Sequence, residues 1–328
     1  MKNVLQHLYN HHTLSKHDAK RILIGISQGE YNPSQIASFL TIYNMRGITI
    51  EELSGFREAL LELCISIDLS DFDPIDLCGT GGDGKDTFNI STLSSFVTAG
   101  AGFKVAKHGN YGVSSISGSS NVLEQLGFKF TNKKEQILKQ IDKANICFLH
   151  APLFHPAMKE VGPIRKELAV KTFFNMLGPM VNPCRPQKQI VGVFSLKLLR
   201  LYNYLYQQTD KKYAIIHALD GYDEISLTGD FRIVSNHVDS IKNAQDFGMK
   251  NLAPHQLEGG NSLKEAADLF KQILSGEGNE AQNNVVIANS ATAIQVASGK
   301  NIDESIELAK ESLFSKRALK ALTNLLSV

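Results

Sequence analysis

Residues 76–92, DLCGTGGDGKDTFNIST, place a glycine-rich loop between a short apolar run and a stretch of helical character. Glycines in such a loop let backbone N–H groups approach an anion closely, and the first turn of the following helix adds unpaired N–H groups. The stretch therefore predicts a strand, a phosphate-binding loop and a helix, in that order. A tight turn without a ligand would use the same glycines.

Outward from this loop, apolar runs of strand length alternate with helical stretches. The runs lie at 75–78, 103–106, 146–149, 190–194 and 214–219. Helices are predicted at 90–100, 119–126, 197–209, 263–274, 284–297 and 303–326. This alternation indicates an α/β fold with a mostly parallel central sheet covered by helices. Ligands of open α/β sheets bind beyond the carboxyl ends of strands, so the loops there are expected to carry function.

The N-terminal part of the chain has a purely helical pattern. Apolar residues recur at helical spacing from Ala19 to Ile26, and Asn32 with the following proline begins a second helix. Thr49 and Glu52 form a capping box that begins a third. We therefore predict a small all-helical domain at 1–70, which helices from about 155–180 could join, and a larger α/β domain at 71–328.

Composition excludes several classes of protein. The 328 residues carry a net charge of +1, which provides no global attraction to nucleic acid or to an anionic membrane. No run approaches the roughly 18 consecutive apolar residues of a membrane span. The four cysteines are widely separated and form no C-x-x-C pair, and the first residues resemble neither a secretory signal nor a transit peptide. A cytoplasmic protein with reduced thiols is expected.

Two nucleotide-binding patterns match the glycine loop by letter, but each lacks a partner that it needs. Gly79, Gly81 and Gly84 fit the dinucleotide fingerprint, yet the next apolar run ends in VAKH at 105–108 without the acid that binds a ribose hydroxyl. The loop also fits most of a Walker A motif, but Asp86 stands where a Ser or Thr should bind Mg²⁺. Both interpretations are weakened.

Asp83 favours a different ligand for the same loop. A carboxylate beside phosphate oxygens is repelled unless it faces ribose hydroxyls or a metal ion bridges the charges. A sugar diphosphate with Mg²⁺ fits this requirement better than bare phosphate. Asn89, Ser91 and Thr92 then supply hydrogen-bonding side chains at the start of the helix, although ordinary N-capping explains each of them equally well.

A second loop, KHGNYGVSSISGSSNVLEQLG at 107–127, is rich in serine and punctuated by glycine. Lys107 can offer a positive charge, and Ser114, Ser115, Ser117 and Ser119 can donate hydrogen bonds to a phosphate. A solvated loop is the commoner explanation of such a stretch taken alone.

Together with HAPLFHPAMKEVGPIRKELAVKTFFNMLGPMVNPCRP at 150–186, the two loops resemble the anthranilate phosphoribosyltransferase family over nearly the whole chain. The resemblance implies that the glycine and serine loops hold 5-phosphoribosyl diphosphate (PRPP). The residues implied at that site are Gly79, Gly82, Asp83, Thr87, Asn89, Ile90, Ser91, Thr92, Lys107, His108, Gly109, Asn110, Ser114, Ser115 and Ser119. Those implied at the anthranilate site are Gly79, His108, Asn110, His155 and Arg165.

The resemblance also implies a Mg²⁺ site formed by Ser91, Asp223 and Glu224, and a homodimer. Without it, DGYDE at 220–224 would be interpreted as a solvated acidic turn. The chain departs from the commoner family pattern at several positions, which puts PRPP affinity in doubt. Tyr111 and Ile116 replace basic residues, Asn121 replaces an acid, and Ala169 and Lys171 replace glycine and arginine.

The implied reaction joins the amino nitrogen of anthranilate to C1 of the ribose and expels diphosphate, a step of tryptophan biosynthesis. No acid–base or covalent residue is expected, and Lys107 and Arg165 would act by electrostatics and positioning. Arg165 suits a planar carboxylate because a guanidinium donates two parallel hydrogen bonds. Two alternatives stay open: a pyrimidine nucleoside phosphorylase, and a non-catalytic phosphoribosyl- or nucleic-acid-binding protein.

Overall fold

The structure is a computed structural model that describes residues 1–112 and 117–328. The described residues form fifteen α-helices: α1 (Lys2–Tyr9), α2 (Lys16–Ser27), α3 (Pro33–Arg46), α4 (Ile50–Leu63), α5 (Ile90–Gly100), α6 (Ser119–Gln125), α7 (Lys134–Ala144), α8 (Ala151–Phe154), α9 (Gly162–Leu168), α10 (Phe174–Leu177), α11 (Leu196–Tyr206), α12 (Leu263–Leu274), α13 (Glu280–Ser298), α14 (Ile302–Phe314) and α15 (Arg317–Leu326). They form seven β-strands: β1 (Ile75–Gly79), β2 (Val105–Gly109), β3 (Ile146–His150), β4 (Lys188–Gly192), β5 (Lys212–Ala218), β6 (Phe231–Ser235) and β7 (Asp239–Lys242).

The chain divides into two compact units. A helical unit comprises Met1–Ile67 and Ala151–Pro183, and an α/β unit comprises Asp68–His150 and Cys184–Val328. The predicted fold class, a helical N-terminal part with a mostly parallel α/β part, is confirmed. Among the described residues, no helix is long and apolar enough to cross a membrane.

The helical unit begins its helices where the sequence places caps. Asn32 accepts from the N–H of Gln35, and the Gln35 side chain returns the bond in a capping box at the start of α3. Thr49 and Glu52 form the second capping box, at the start of α4, as predicted. The short α1 was not predicted from the sequence, because only Leu5 and Leu8 of its eight residues are buried.

Aromatic rings join the two segments of the helical unit. Phe173 stacks on Phe56 with ring centroids 4.4 Å apart, and Phe39 and Tyr43 meet both rings edge-on. Phe39, Phe56 and Phe173 are almost completely buried. Each such ring contributes about 2 to 3 kcal/mol by burial, so this cluster is a main reason why residues 151–183 belong to the helical unit.

The α/β unit is organised by a seven-stranded sheet in the order β3-β2-β1-β4-β5-β6-β7. The first five strands are parallel, and β6 and β7 are added antiparallel. The chain runs outward from β1 in one direction and from β4 in the other. The sheet therefore has a topological switch point between β1 and β4, where open α/β sheets bind ligands.

Two expectations for the end of the chain were wrong. The predicted single helix at 303–326 is two helices, α14 and α15, because Lys316 between them adopts a left-handed conformation with φ of 62°. The buried positions change phase there, since five residues separate Leu313 of α14 from Ala318 of α15, and α14 packs mainly on α13 while α15 packs mainly on α5. Strands β6 and β7 were also missed: the apolar residues of β6 are interrupted by Arg232, and β7 has four residues that alternate exposed with half-buried positions.

A buried ion pair holds the N-terminal helices. The Glu52 carboxylate has no exposed surface and accepts from Arg46 at 2.5 and 3.1 Å. The backbone N–H groups of Leu14 and Thr49 donate to the same carboxylate, each at 3.0 Å. Burial acts to raise the pKa of Glu52, but the hydrogen bonds from Arg46 and the two N–H groups outweigh it and leave the pKa below its ordinary value.

Replacing Arg46 by Met should lower the free energy of unfolding by about 3 to 5 kcal/mol at pH 7, because it leaves a buried carboxylate without its countercharge. Urea unfolding followed by circular dichroism measures the change. The folded-state pKa of Glu52 is lowered, so its stabilisation is present above the unfolded pKa and disappears as the pH falls. The difference between wild type and variant should therefore shrink in acid.

Lys264→Met is the matched control for this prediction. It removes an ion pair with Asp268 of similar length, 2.6 Å, but on the surface, and should change stability little. Adding Glu52→Gln to Arg46→Met should recover part of the loss, since it removes the buried charge and its amide oxygen still accepts from one of the two backbone N–H groups. Equal stability of Arg46→Met and wild type at pH 7 would contradict the assignment.

Candidate active site

The carboxyl ends of β1 and β4 are shaped to admit the segment that follows β5. A Cβ atom on Gly192, the last residue of β4, would lie 1.4 Å from the carbonyl oxygen of Asp223. A Cβ atom on Gly79, the last residue of β1, would lie 2.6 Å from the Asp223 carboxylate. Neither position can carry a side chain without displacing the acidic segment, so both glycines are required by close approach.

Backbone N–H groups of the glycine loop and of α5 hold the two acids. Asp223 Oδ2 accepts from the N–H of Gly81 at 2.7 Å. Glu224 Oε1 accepts from the N–H of Ser91 at 2.9 Å, in the first turn of α5. The structure thus brings together the acidic pair and the loop at 79–91, which are more than 130 residues apart in the chain.

The acids are held in a form that resists ionisation. Burial, followed by the nearby charge of Asp83, raises the pKa of Asp223 to about 7. Burial and the charges of Asp223 and Asp83 raise the pKa of Glu224 well above its ordinary value. Crowded, buried carboxylates of this kind are stabilised by a cation, and such perturbed groups concentrate at functional sites.

Lys107 brings a positive charge close to these acids. Its side chain is almost fully buried, and its ammonium group donates to the carbonyl oxygen of Leu77 at 2.6 Å and to the hydroxyl of Ser91 at 3.4 Å. Burial lowers the pKa of Lys107, opposed by the charges of Cys78, Asp76 and Glu224. Lys107 therefore links β1 to the start of α5.

Hydrogen bonds connect the glycine loop to the serine loop. The Asn89 amide donates to the carbonyl oxygen of Ser117 at 2.9 Å. At the base of the serine loop, the Ser119 hydroxyl and the Ser120 N–H both donate to the carbonyl oxygen of Asn110 at 3.2 Å. The predicted residues Ser114 and Ser115, like Ile116, lie outside the described residues.

Other predicted site residues occupy the same two loops, several of them in buried positions. Asp83 accepts from the N–H of Lys85, and Thr87 forms an isolated bridge with Glu258. The side chains of Ile90 and Thr92 are buried, and Gly82 has a positive φ of 76°.

In the serine loop, His108 is buried and donates its backbone N–H to Asp76, and a Cβ atom on Gly109 would clash with Phe148.

A small cavity lies behind the acids, lined by Gly79, Ser91, Gly192, Asp223, Glu224 and Asn289 among others. Sequence reasoning missed Gly192 and Asn289. Gly192 lies inside an apolar run and Asn289 inside a long helix, and neither position carries a motif. A glycine at the end of a predicted central strand is the signal that could have identified the first.

The donors at this cavity suit Mg²⁺. Asp223, Glu224 and Ser91 offer carboxylate and hydroxyl oxygens, which are hard ligands, and within the described ranges neither acid forms an ion pair with a lysine or arginine. No three His, Cys, Asp or Glu side chains of the described residues converge as a complete metal cage. Mg²⁺ usually binds one or two protein carboxylates together with water and substrate phosphates, and two acids beside a glycine loop fit that pattern.

Arg165 and His155 lie in the helical unit. The Arg165 guanidinium lies over the ring of Phe174 at 5.4 Å and donates to Asn175 Oδ1 at 3.2 Å. Burial lowers the pKa of Arg165, and among the described residues of this unit no carboxylate forms an ion pair with it. Burial lowers the pKa of His155 to about 4, against a hydrogen bond with the backbone of Val181 that acts to raise it.

Comparisons with known proteins cover both parts of the chain. Residues 72–319 match the family model "Glycosyl transferase family, a/b domain", and residues 2–64 match "Glycosyl transferase family, helical bundle domain". An anthranilate phosphoribosyltransferase of Flavobacterium johnsoniae is 65% identical over 325 residues, which cover 99% of this chain and 98% of the relative.

Solved structures agree with this relationship. The anthranilate phosphoribosyltransferase of Saccharomyces cerevisiae in complex with PRPP and Mg is 28% identical with a TM-score of 0.88, covering 96% of this chain and 93% of that one. The same yeast enzyme in complex with 4-fluoroanthranilate is 27% identical with a TM-score of 0.85, covering 96% and 92%. This chain, with its two matched domains and its near full-length relatives, belongs to the anthranilate phosphoribosyltransferase family.

Proposed function

We propose that this protein transfers the phosphoribosyl group of PRPP to the amino group of anthranilate, giving N-(5-phosphoribosyl)anthranilate and diphosphate in tryptophan biosynthesis. The observation that carries the proposal is the acidic pair, buried Asp223 and half-buried Glu224, held by the N–H groups of Gly81 in the glycine loop and Ser91 in α5. A glycine loop beside two adjacent acids suits displacement of diphosphate by an external amine, a reaction that needs no nucleophilic side chain of the protein.

The α/β unit would bind PRPP through its two loops. The glycine loop offers N–H groups to the diphosphate, and Asn89 links it to the serine loop, so that both loops form one binding surface. Mg²⁺, held by Asp223, Glu224 and Ser91, supplies neutralisation of the charge that builds on the departing diphosphate. Lys107 adds positive charge beneath the same loop through its contact with Ser91.

Arg165 would bind the carboxylate of anthranilate. A half-buried guanidinium with no carboxylate partner among the described residues of its own unit is prepared for an anionic ligand, because its desolvation is already part of the folded state. Phe174 supports one face of the guanidinium and Asn175 fixes one amino group, which leaves donors for a planar carboxylate. His155 is neutral at pH 7 and adds no charge there.

The homodimer and the cytoplasmic location implied by the resemblance stay predictions. The helical unit exposes the apolar side chains of Tyr9, Met45 and Ile65 at 56%, 83% and 44% of their surface. Such side chains mark a contact surface where they form one contiguous patch, whereas singly exposed ones are ordinary. Sedimentation equilibrium would show whether a dimer forms.

Turnover of anthranilate tests the proposed reaction directly. Mixing the protein with anthranilate, PRPP and Mg²⁺ should cause a steady loss of anthranilate fluorescence, and chelation of Mg²⁺ by EDTA should stop it. Absence of turnover at any practical concentration would overturn the proposal. Phosphorolysis of uridine or thymidine with inorganic phosphate would instead favour the nucleoside phosphorylase alternative.

Arg165→Ala should raise KM for anthranilate by about 10- to 100-fold, the equivalent of one lost charge-assisted hydrogen-bond pair. KM for PRPP should change much less. Arg165→Lys should recover only part of the affinity, because an ammonium group lacks the planar fork. Lys166→Ala, at an exposed neighbouring position of α9, is the matched control and should leave both constants unchanged. An unchanged KM in Arg165→Ala removes Arg165 from the anthranilate site.

Replacing Asp223 by Asn and Glu224 by Gln together should raise the Mg²⁺ concentration for half-maximal activity at least about tenfold. The amide oxygens still accept from Gly81 and Ser91, so the loop is retained while both charges are lost. Asp220→Asn is the control, since Asp220 is an exposed acid of the same segment. Wild-type Mg²⁺ dependence in the double variant would show that the metal binds elsewhere.

A further inference from the structure

We propose that Asn289 is a positioning residue that fixes the acidic pair Asp223–Glu224 in the orientation that binds the metal. This inference rests on the proposed function of that pair. Asn289 lies in the middle of α13, 64 residues after its partner Ile225, and its side chain is almost fully buried.

The side-chain amide of Asn289 forms hydrogen bonds with both backbone polar groups of Ile225. Its Oδ1 accepts from the backbone N–H of Ile225 at 3.1 Å, and its Nδ2 donates to the carbonyl oxygen of Ile225 at 2.8 Å. A backbone residue held at both its N–H and its carbonyl has little freedom to rotate, as in a strand pair. Ile225 follows Glu224 directly, so Asn289 fixes the peptide on which the Glu224 side chain is mounted.

A merely structural role in α13 does not account for this arrangement. Hydroxyl side chains elsewhere in the helix donate to the carbonyl four residues earlier, as Ser290 does to Val286 and Thr292 does to Ala288. Asn289 also donates to Val285 at 2.8 Å, and a serine or threonine could do the same. The two bonds to Ile225 need the longer amide with both a donor and an acceptor, and they are directed at the acidic segment.

The position of Asn289 agrees with this role. Its side chain lines the same small cavity as Ser91, Asp223 and Glu224. The two acids are neighbours in the chain and both are held at the same site, so their negative charges repel each other when both are ionised. This repulsion would displace the acidic segment from the site unless hydrogen bonds held its backbone in place. Asn289 supplies two such hydrogen bonds from α13, in addition to those from the N–H groups of the glycine loop and α5.

Asn289→Ser tests the inference, because serine keeps the bond to Val285 and loses both bonds to Ile225. Asn283→Ser is the matched control: Asn283 lies on the same helix, is also buried, and uses its amide for a backbone bond to Gly278 at 2.7 Å. Mn²⁺ binding to each full-length protein in the presence of PRPP is measured by electron paramagnetic resonance, and stability is measured by urea unfolding.

We expect Asn289→Ser to raise the Mn²⁺ dissociation constant about tenfold, while Asn283→Ser leaves it within about twofold of wild type at a similar loss of stability. KM for anthranilate should change in neither variant. Equal Mn²⁺ constants in the two variants overturn the inference, whether both are raised or both are unchanged. If Asn289→Ser does not fold, Asn289→Thr takes its place, because a threonine can make the helical bond that Thr292 makes.

The proposed reaction and this inference fail in different ways. A protein that binds Mn²⁺ through Asp223 and Glu224 but does not consume anthranilate would refute the reaction and leave the Asn289 measurement meaningful. Wild-type Mn²⁺ binding in the Asp223→Asn, Glu224→Gln double variant would refute the inference, whatever the turnover.

Discussion

The packing of an acidic segment against two side-chain-free strand ends is the constraint on which the α/β unit's site depends. Gly79 and Gly192 leave the space, and the carbonyl and carboxylate of Asp223 fill it. Only with the segment in that space can the N–H groups of Gly81 and Ser91 reach the two acids. The conformation of the glycine loop thus depends on the acids, and the position of the acids depends on the loop.

This arrangement explains why charge is concentrated without being neutralised. Desolvation of two neighbouring carboxylates is unfavourable, and the two N–H bonds compensate for only part of it, so the pKa values of both acids remain raised. The fold therefore keeps an uncompensated part of this desolvation, which the proposed binding of Mg²⁺ would relieve. Glu52 in the helical unit is the contrasting case, because Arg46 and two N–H groups compensate its burial and its pKa is lowered.

Sequence reasoning succeeded where local chemistry determines the structure. The helix predicted at 90–100 matches α5, and the predicted caps Asn32 and Thr49 begin α3 and α4. Asp86 and the missing acid after 105–108 argued against the two nucleotide motifs that matched by letter, and the family of the chain agrees with that interpretation. In contrast, the break at Lys316 was missed although the apolar spacing carries a sign of it, because the buried positions shift from Leu313 to Ala318 by five residues instead of three or four.

The parts of the site that sequence reasoning missed share one physical cause. Gly192 and Asn289 act through close approach to a segment distant in the chain, and their own neighbours give no sign of it. The acidic pair has the local pattern of a solvated turn, and only the resemblance assigned it to a metal. The fold buries Asp223 and places Glu224 against α5, which local pattern does not determine.

The separation in sequence of the site's parts has a consequence for synthesis of the protein. The glycine loop emerges from the ribosome well over a hundred residues before the acids that it holds, and Asn289 follows later still. Contacts of such long range are formed late, since closing the intervening loops costs entropy before any contact repays it. During much of its translation the growing chain therefore carries the glycine loop without the acidic pair and without Asn289, so the proposed site can be completed only after α13 has been made.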